Sequence, residues 1–155
     1  MIWVDGSETD PKLFSGEELV EKLALEMYDD REHWSECSEF IQNALYIIDF
    51  DTVTNMEGFP TPYFGYFSSE EYERIINAFQ AIGDNNDADI LSEALRLDTY
   101  YQKLLGIAED ENERSKIYDE FIEKLDGSEK RLYLNTEFDM WALLYRYIDE
   151  NIGKL

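Results

Sequence analysis

Three capping signals, each followed by apolar residues at helical spacing, constrain this chain more than any other feature. Ser15-Gly-Glu-Glu18 precedes Leu19, Val20, Leu23, Met27 and Tyr28. Ser68-Ser-Glu-Glu71 precedes Tyr72, Ile75, Ile76, Phe79 and Ile82, with Gly83 placed just past the helix end. Thr136-Glu-Phe-Asp139 precedes a stripe of Phe138, Trp141, Leu144, Tyr145, Ile148 and Ile152. In the first two, a serine hydroxyl accepts from the amide three residues on, and a glutamate reaches back. The i, i+3, i+4 recurrence puts each apolar set on one helix face.

Three further stripes complete the reading. A second helix begins between Arg31 and Glu36 and runs to about Asn55, with Phe40, Ile41, Ala44, Leu45 and Ile48 on its core face. A turn at Asp84–Asp87 leads into Ala88, Leu91, Ala94 and Leu95, continuing through Tyr101, Leu104 and Leu105 to Gly106. The next helix spans about Asp110 to Asp126, carries Ile117, Tyr118, Phe121, Ile122 and Leu125, and stops at Gly127. Leu132–Leu134 reads as an extended connector and residues 1–14 as an N-terminal arm with a turn at Asp10-Pro11. There is no βαβ pattern and no repeat of solenoid length. The expectation is an all-α, single-domain bundle of six to seven helices over residues 1–155. A chain of this length buries roughly 68–70% of its unfolded surface.

Between the second and third helices lies Thr54–Phe67, with two prolines, two glycines and five aromatic residues. Aromatic rings bury large areas, so this elbow reads as a wedge between its flanking helices. Tyr63 and Tyr66 have a second reading, as the lining of a partner or ligand groove.

Charge narrows the function classes. The chain has 36 acidic and 13 basic residues, a formal net charge of −23. That balance repels nucleic acid and anionic membranes and attracts basic partners. No apolar run approaches the roughly 20 residues of a membrane span. The chain start has neither the basic nor the apolar region of a signal peptide. A single cysteine, Cys37, cannot form an internal disulfide, which fits a reducing cytoplasm. Three readings fit the acidity: a solvated surface, salt adaptation, or recognition of a basic protein. Residues 1–100 hold 23 acids and 5 bases; residues 101–155 hold 13 and 8. In the first hundred residues, Glu17/Glu21, Glu26/Asp30, Glu32/Glu36 and Asp89/Glu93 are like-charged at i, i+4. Each such pair costs about 0.2–0.5 kcal/mol on a helix. Salt adaptation would acidify the whole surface, whereas a partner-binding face would concentrate charge. Glu17, Glu21, Glu26, Asp30, Glu32, Glu36, Asp89 and Glu93 are therefore the candidate contacts.

Several residue patterns also match a known family. Asn55-Met-Glu-Gly58-Phe59, Tyr63-Phe64, Ala78-Phe79-Gln-Ala81-Ile82-Gly83, Ile90-Leu91 and Ala94-Leu95 resemble the domain family of the bacterial DNA-mimic protein over about residues 40–105. Glu57 stands where that family commonly has glycine, and Pro60-Thr-Pro62 lengthens the joint before the aromatic pair. The resemblance implies a helical, dimer-forming, non-enzymatic protein that carries acidic charge in place of DNA phosphates and binds a transcription factor.

Other sites are weaker. His33 and Cys37 lie one turn apart if the second helix starts early, the spacing of a thiolate–imidazole pair. Asp84–Asp89 starts like a calcium loop but has Asp89 where that loop needs glycine and Leu95 where it needs glutamate. No catalytic, cofactor-binding or metal-ligating set emerges. The leading expectation is an acidic interaction protein that mimics DNA for a basic, DNA-binding partner. The alternatives are an immunity-type inhibitor of a basic toxin, or a small ligand-binding or hydrolytic helical domain.

Overall fold

The computed structural model describes residues 7–155, and its first α-helix starts where the first capping box lies. Ser15 Oγ accepts from the Glu18 amide at 3.2 Å while Glu18 Oε1 accepts from the Ser15 amide at 3.3 Å. This box opens α1 (Gly16–Glu26). The same reciprocal pair between Ser68 and Glu71 opens α3 (Ser69–Ala81). Between them runs α2 (Glu39–Glu57), and after them α4 (Asn85–Ile107), α5 (Glu111–Glu129) and α6 (Met140–Ile152). Short 3-10 turns lie at Pro11–Leu13, Arg31–Glu36, Pro62–Phe64 and Tyr133–Asn135. The protein is all-α.

Helix α2 occupies the middle. It packs against α1, α3 and α6, while α3 packs on α4, α4 on α5, and α1 on α6. Its buried residues include Phe40, Ile41, Ala44, Leu45, Ile47, Ile48 and Phe50, which cover most of its circumference. A helix apolar on most sides belongs in the core. One continuous apolar cluster runs from Leu19 in α1 to Ile148 in α6.

Several boundaries differ from the sequence reading, each for a local reason. Residues 31–36 form a 3-10 helix rather than the start of α2, held by Trp34, whose Nε1 donates to the Met27 carbonyl at 3.0 Å. Gly127 lies inside α5 with no other group near its Cβ position, so it does not stop the helix. Leu132–Leu134 is not extended: Tyr133 and Leu134 belong to a 3-10 turn anchored by buried Leu132. Thr136 accepts from the Phe138 amide instead of capping α6, whose N-cap is Asp139. Phe138 is consequently off the helix and 47% exposed, not a core residue. Of the N-terminal arm, residues 1–6 lie outside the described residues. Its Asp10 caps the 3-10 turn at Pro11–Leu13.

The elbow is shorter than expected and points elsewhere. Residues 54–57 are the last turn of α2, which ends at Gly58 with φ 85° and ψ −168°, a backbone conformation open essentially only to glycine. Phe59 then turns inward, its ring edge-on to Phe50 at 6.2 Å. Tyr63 and Phe64 cross to α5, where they meet Phe121 at 5.7 and 6.2 Å. Tyr101 of α4 stacks on the same Phe121 ring at 5.2 Å. Buried Asp98 of α4 accepts from the Tyr63 amide at 2.8 Å and from the Gln102 side chain, fixing the elbow backbone. The wedge therefore joins α4 and α5 to the rest rather than splaying α2 from α3. Tyr66 bonds Glu57 at 2.9 Å and lines a groove of about 230 Å³ along α5.

Phe121 is fully buried at the centre of these rings. We expect Phe121→Ala to cost about 3–5 kcal/mol in urea denaturation. Tyr118→Ala, which removes a 37% exposed ring touching only Tyr63 in the cluster, should cost far less. Equal losses would place the core of this region elsewhere.

Candidate protein-binding face

Helix α1 lies unusually close to α6. The Gly16 amide donates to Asp149 Oδ1 at 2.6 Å. A Cβ on Gly16 would come within 2.2 Å of the Tyr145 carbonyl oxygen, so only glycine permits this approach. The contact brings carboxylates from distant parts of the chain together. Burial raises the Tyr145 hydroxyl pKa, and the charges of Glu17, Asp139 and Glu21 raise it further. The charges of Glu17, Glu21 and Asp139 thus all act on the one Tyr145 hydroxyl. Asp139 lies far from the other two in the chain, and the sequence reading did not single it out. Nothing in the sequence marked it as a partner of the other two; in the structure it is an N-cap residue whose side chain makes no capping bond.

The remaining candidate acids fall into distinct settings. Glu26 ends α1 and pairs with Lys22 at 2.7 Å. Asp30 pairs with His33 Nδ1 at 2.6 Å. That bond is the main reason the imidazole pKa is raised, with the charges of Glu36 and Glu32 adding to it. Glu32 and Glu36 are exposed, but a 3-10 helix has three residues per turn. They point about 120° apart instead of forming the expected α-helical row. Asp89 is exposed on α4, and Glu93 pairs with Arg131 at 3.0 Å. Because α4 packs on α3 and α5 whereas α1 packs on α6 and α2, Asp89 and Glu93 belong to a different part of the surface from Glu17 and Glu21.

Beneath the 29–36 segment, Asp49 of α2 is buried and accepts from Tyr28 at 2.8 Å and Arg31 Nη1 at 2.5 Å. Burial and this carboxylate push the Tyr28 hydroxyl up to about 12. Arg31 also binds Glu71 of α3 and lies over the Trp34 ring at 4.6 Å.

The spacing of His33 and Cys37 does not become a thiolate–imidazole contact. The Cys37 thiol contacts the His33 backbone carbonyl at 3.9 Å, not its ring. Burial pushes the thiol pKa up, away from the reactive thiolate form. An apolar groove of about 400 Å³ beside them is lined by Phe40 and Ile41 as well as His33 and Cys37. Among the described residues, no group of three or more His, Cys, Asp or Glu side chains is placed to hold a metal ion. No described helix is long and apolar enough to cross a membrane.

The family of the DMP19-like protein matches residues 35–151, which spans α2 to α6. The chain belongs to that family. The match extends the resemblance seen around the elbow to most of the fold, because its far end lies in α6. It leaves α1 outside, so the DMP19-like region contains Glu36, Asp89, Glu93 and Asp139 but not Glu17 or Glu21. No curated protein and no solved structure matches the chain.

The acidic turn before α4 has a structural role. Asp84 Oδ1 caps α4 by accepting from the Asp87 amide at 3.0 Å, and Asp87 Oδ1 accepts from the Tyr133 amide at 2.9 Å. Both carboxyls are buried, and Asp84 Oδ2 has no donor. Burial beside Asp87 pushes the Asp84 pKa up to about 8. The folded state thus holds a proton that the unfolded chain releases near the ordinary carboxylate pKa. Its contribution to stability is complete below that ordinary value and is lost as pH rises through about 8. Asp84→Asn, which keeps a capping oxygen, should flatten the fall in denaturation midpoint between about pH 4 and about pH 8. Parallel pH profiles for the two proteins would refute this.

Proposed function

We propose that the protein is a non-enzymatic DNA mimic whose acidic α1–α6 face occupies the nucleic-acid-binding surface of a basic protein such as a transcription factor. The single observation carrying this is the close packing of α1 on α6 at Gly16, which brings Glu17 and Glu21 of α1 and Asp139 at the start of α6 within electrostatic reach of Tyr145, in a chain of a DNA-mimic family. None of the three is ion-paired among the described residues. B-DNA carries one charge per about 1.7 Å of axis, whereas carboxylates four residues apart on a helix are separated by about 6 Å. One helix is too sparse to imitate a duplex. Acids from a second element, as Asp139 provides, raise the density. Glu26, Asp30, Glu32 and Glu36 lie toward the 3-10 segment at the far end of α1, and Asp89 and Glu93 form an outlying patch. The reading places the protein in the cytoplasm and, from the family, as a homodimer.

The test is competition. Immobilised protein should retain a DNA-binding protein at low salt, and duplex DNA should displace it. The double variant Glu17→Lys, Glu21→Lys should weaken retention about tenfold, equivalent to about 1.4 kcal/mol. It should also reduce the salt dependence, because rim charges act largely through steering. Retention indifferent to both DNA and charge reversal would exclude mimicry at this face.

A further inference from the structure

Where the α2 surface meets the turn before α6, a pocket of about 300 Å³ opens to solvent. Tyr133, Phe138 and Trp141 line it, together with Asp51, Asp139 and Asn55. Tyr133 and Phe138 are stacked at 4.0 Å with 24° between their planes. We infer that this pocket receives one arginine side chain of the basic partner, the guanidinium lying against the aromatic wall and bonding the two carboxylates. The inference rests on the acidic-face reading for the source of the arginine, though not for the chemistry of the pocket.

Four features select that occupant. Asp139 is an N-cap residue whose carboxylate does not cap, so its oxygens remain available to another donor. Asp51 is half-buried and makes no ion pair among the described residues. Burial raises its pKa, an effect only partly offset by Asn55 one turn along. A buried negative group of this kind gains most from a cation that brings its own hydrogen bonds. Phe138 is 47% exposed although it is apolar. Guanidinium suits this mixture better than ammonium because it is planar, weakly hydrated and stacks on rings while bonding carboxylates at its edge. Phosphate is excluded by the two carboxylates. Asp139, which lines the pocket, also acts on Tyr145 together with Glu17 and Glu21, which links the pocket electrostatically to the acidic face.

The probe is acetyl-arginine methylamide, titrated into the full chain while indole and ring signals are followed by NMR. Acetyl-lysine methylamide and the neutral citrulline analogue serve as comparisons. Saturable shifts at Trp141, Tyr133 and Phe138 are expected, largest for arginine and absent for citrulline. Asp51→Asn should weaken the arginine response about tenfold. Phe138→Ala removes an exposed ring outside the helices, tests the stacking wall without touching the core, and should weaken the response as well. No shift at Trp141, an equal response to citrulline, or an unchanged response in both variants would overturn the inference. If the probe binds but no DNA-binding protein is displaced by DNA, the mimicry reading fails while the pocket stands. If a partner is captured through Glu17 and Glu21 yet the probe does not shift Trp141, the pocket fails and the face remains.

Discussion

The acidic half of this protein closes around one cation. Arg31 bonds buried Asp49 on α2 and Glu71 on α3 and lies against Trp34. Tyr28, just past the end of α1, donates to the same Asp49. Four successive pieces of chain are thereby tied at one point. The first hundred residues contain only five basic residues, so an arginine engaged here has no ready substitute. Asp49 is the buried partner, while the Arg31 side chain remains 44% exposed, so water screens the pair and its loss costs less than the about 3–5 kcal/mol of a fully buried one. Arg74 has a parallel role beside Tyr46, bonding Asn43 at 2.6 Å with its guanidinium 5.1 Å from the ring centre. With these two cations engaged in such contacts, few remain to neutralise the other acids of the first hundred residues.

Not every acid on that surface calls for a functional explanation. The N-terminus of a helix carries partial positive charge and exposed amides, which favour carboxylates by about 0.3–1 kcal/mol each. Glu17 and Glu18 in α1, Glu70 and Glu71 in α3, and Glu111 and Glu113 in α5 occupy such first turns. Asp149 reaches the α1 N-terminus from another helix. Local structure gives each of these charges a reason, Glu17 included, apart from any role at a binding face. It does not account for Glu21 beyond the first turn of α1, for Asp51 in the middle of α2, or for the non-capping carboxylate of Asp139. Those three cluster on the α1–α6 side of the molecule and the adjoining pocket. The informative acids are the ones the backbone does not need.

The same distinction explains what the amino-acid sequence could disclose. Capping boxes at Ser15 and Ser68 involve groups within three residues of one another, so their chemistry is legible without tertiary contacts. The end of α3 is legible for the same reason: the Gly83 amide reaches Gln80 and the Asp84 amide reaches Phe79, a local closing pattern. The 31–36 segment was not, because its 3-10 form depends on Trp34 and Arg31 meeting α2 and the end of α1. Phe138 fits an apolar stripe by spacing, yet the helix begins two residues later and the ring stacks on Tyr133 instead. Glu17 was visible as an exposed acid, whereas its partner Asp139 comes into view only once α1 and α6 touch at Gly16. Residues 51, 133 and 138–141 show no common pattern in the sequence because only the fold assembles them.

This arrangement separates the frame from the recognition surface. The elbow, α4 and α5 meet around Phe121 on one flank of α2, while α1 and α6 meet around Gly16 on the other. The family match covers α2 to α6 and so contains the pocket residues, but α1 and its carboxylates lie outside it. A row of exposed charge acts over roughly a Debye length, about 8 Å at physiological salt, and mainly accelerates encounter. A pocket that holds a desolvated guanidinium acts after encounter and slows departure. On the proposed reading, charge added by α1 would set how strongly a basic partner is drawn in, while the pocket in the family frame would set how long a partner with the right side chain stays.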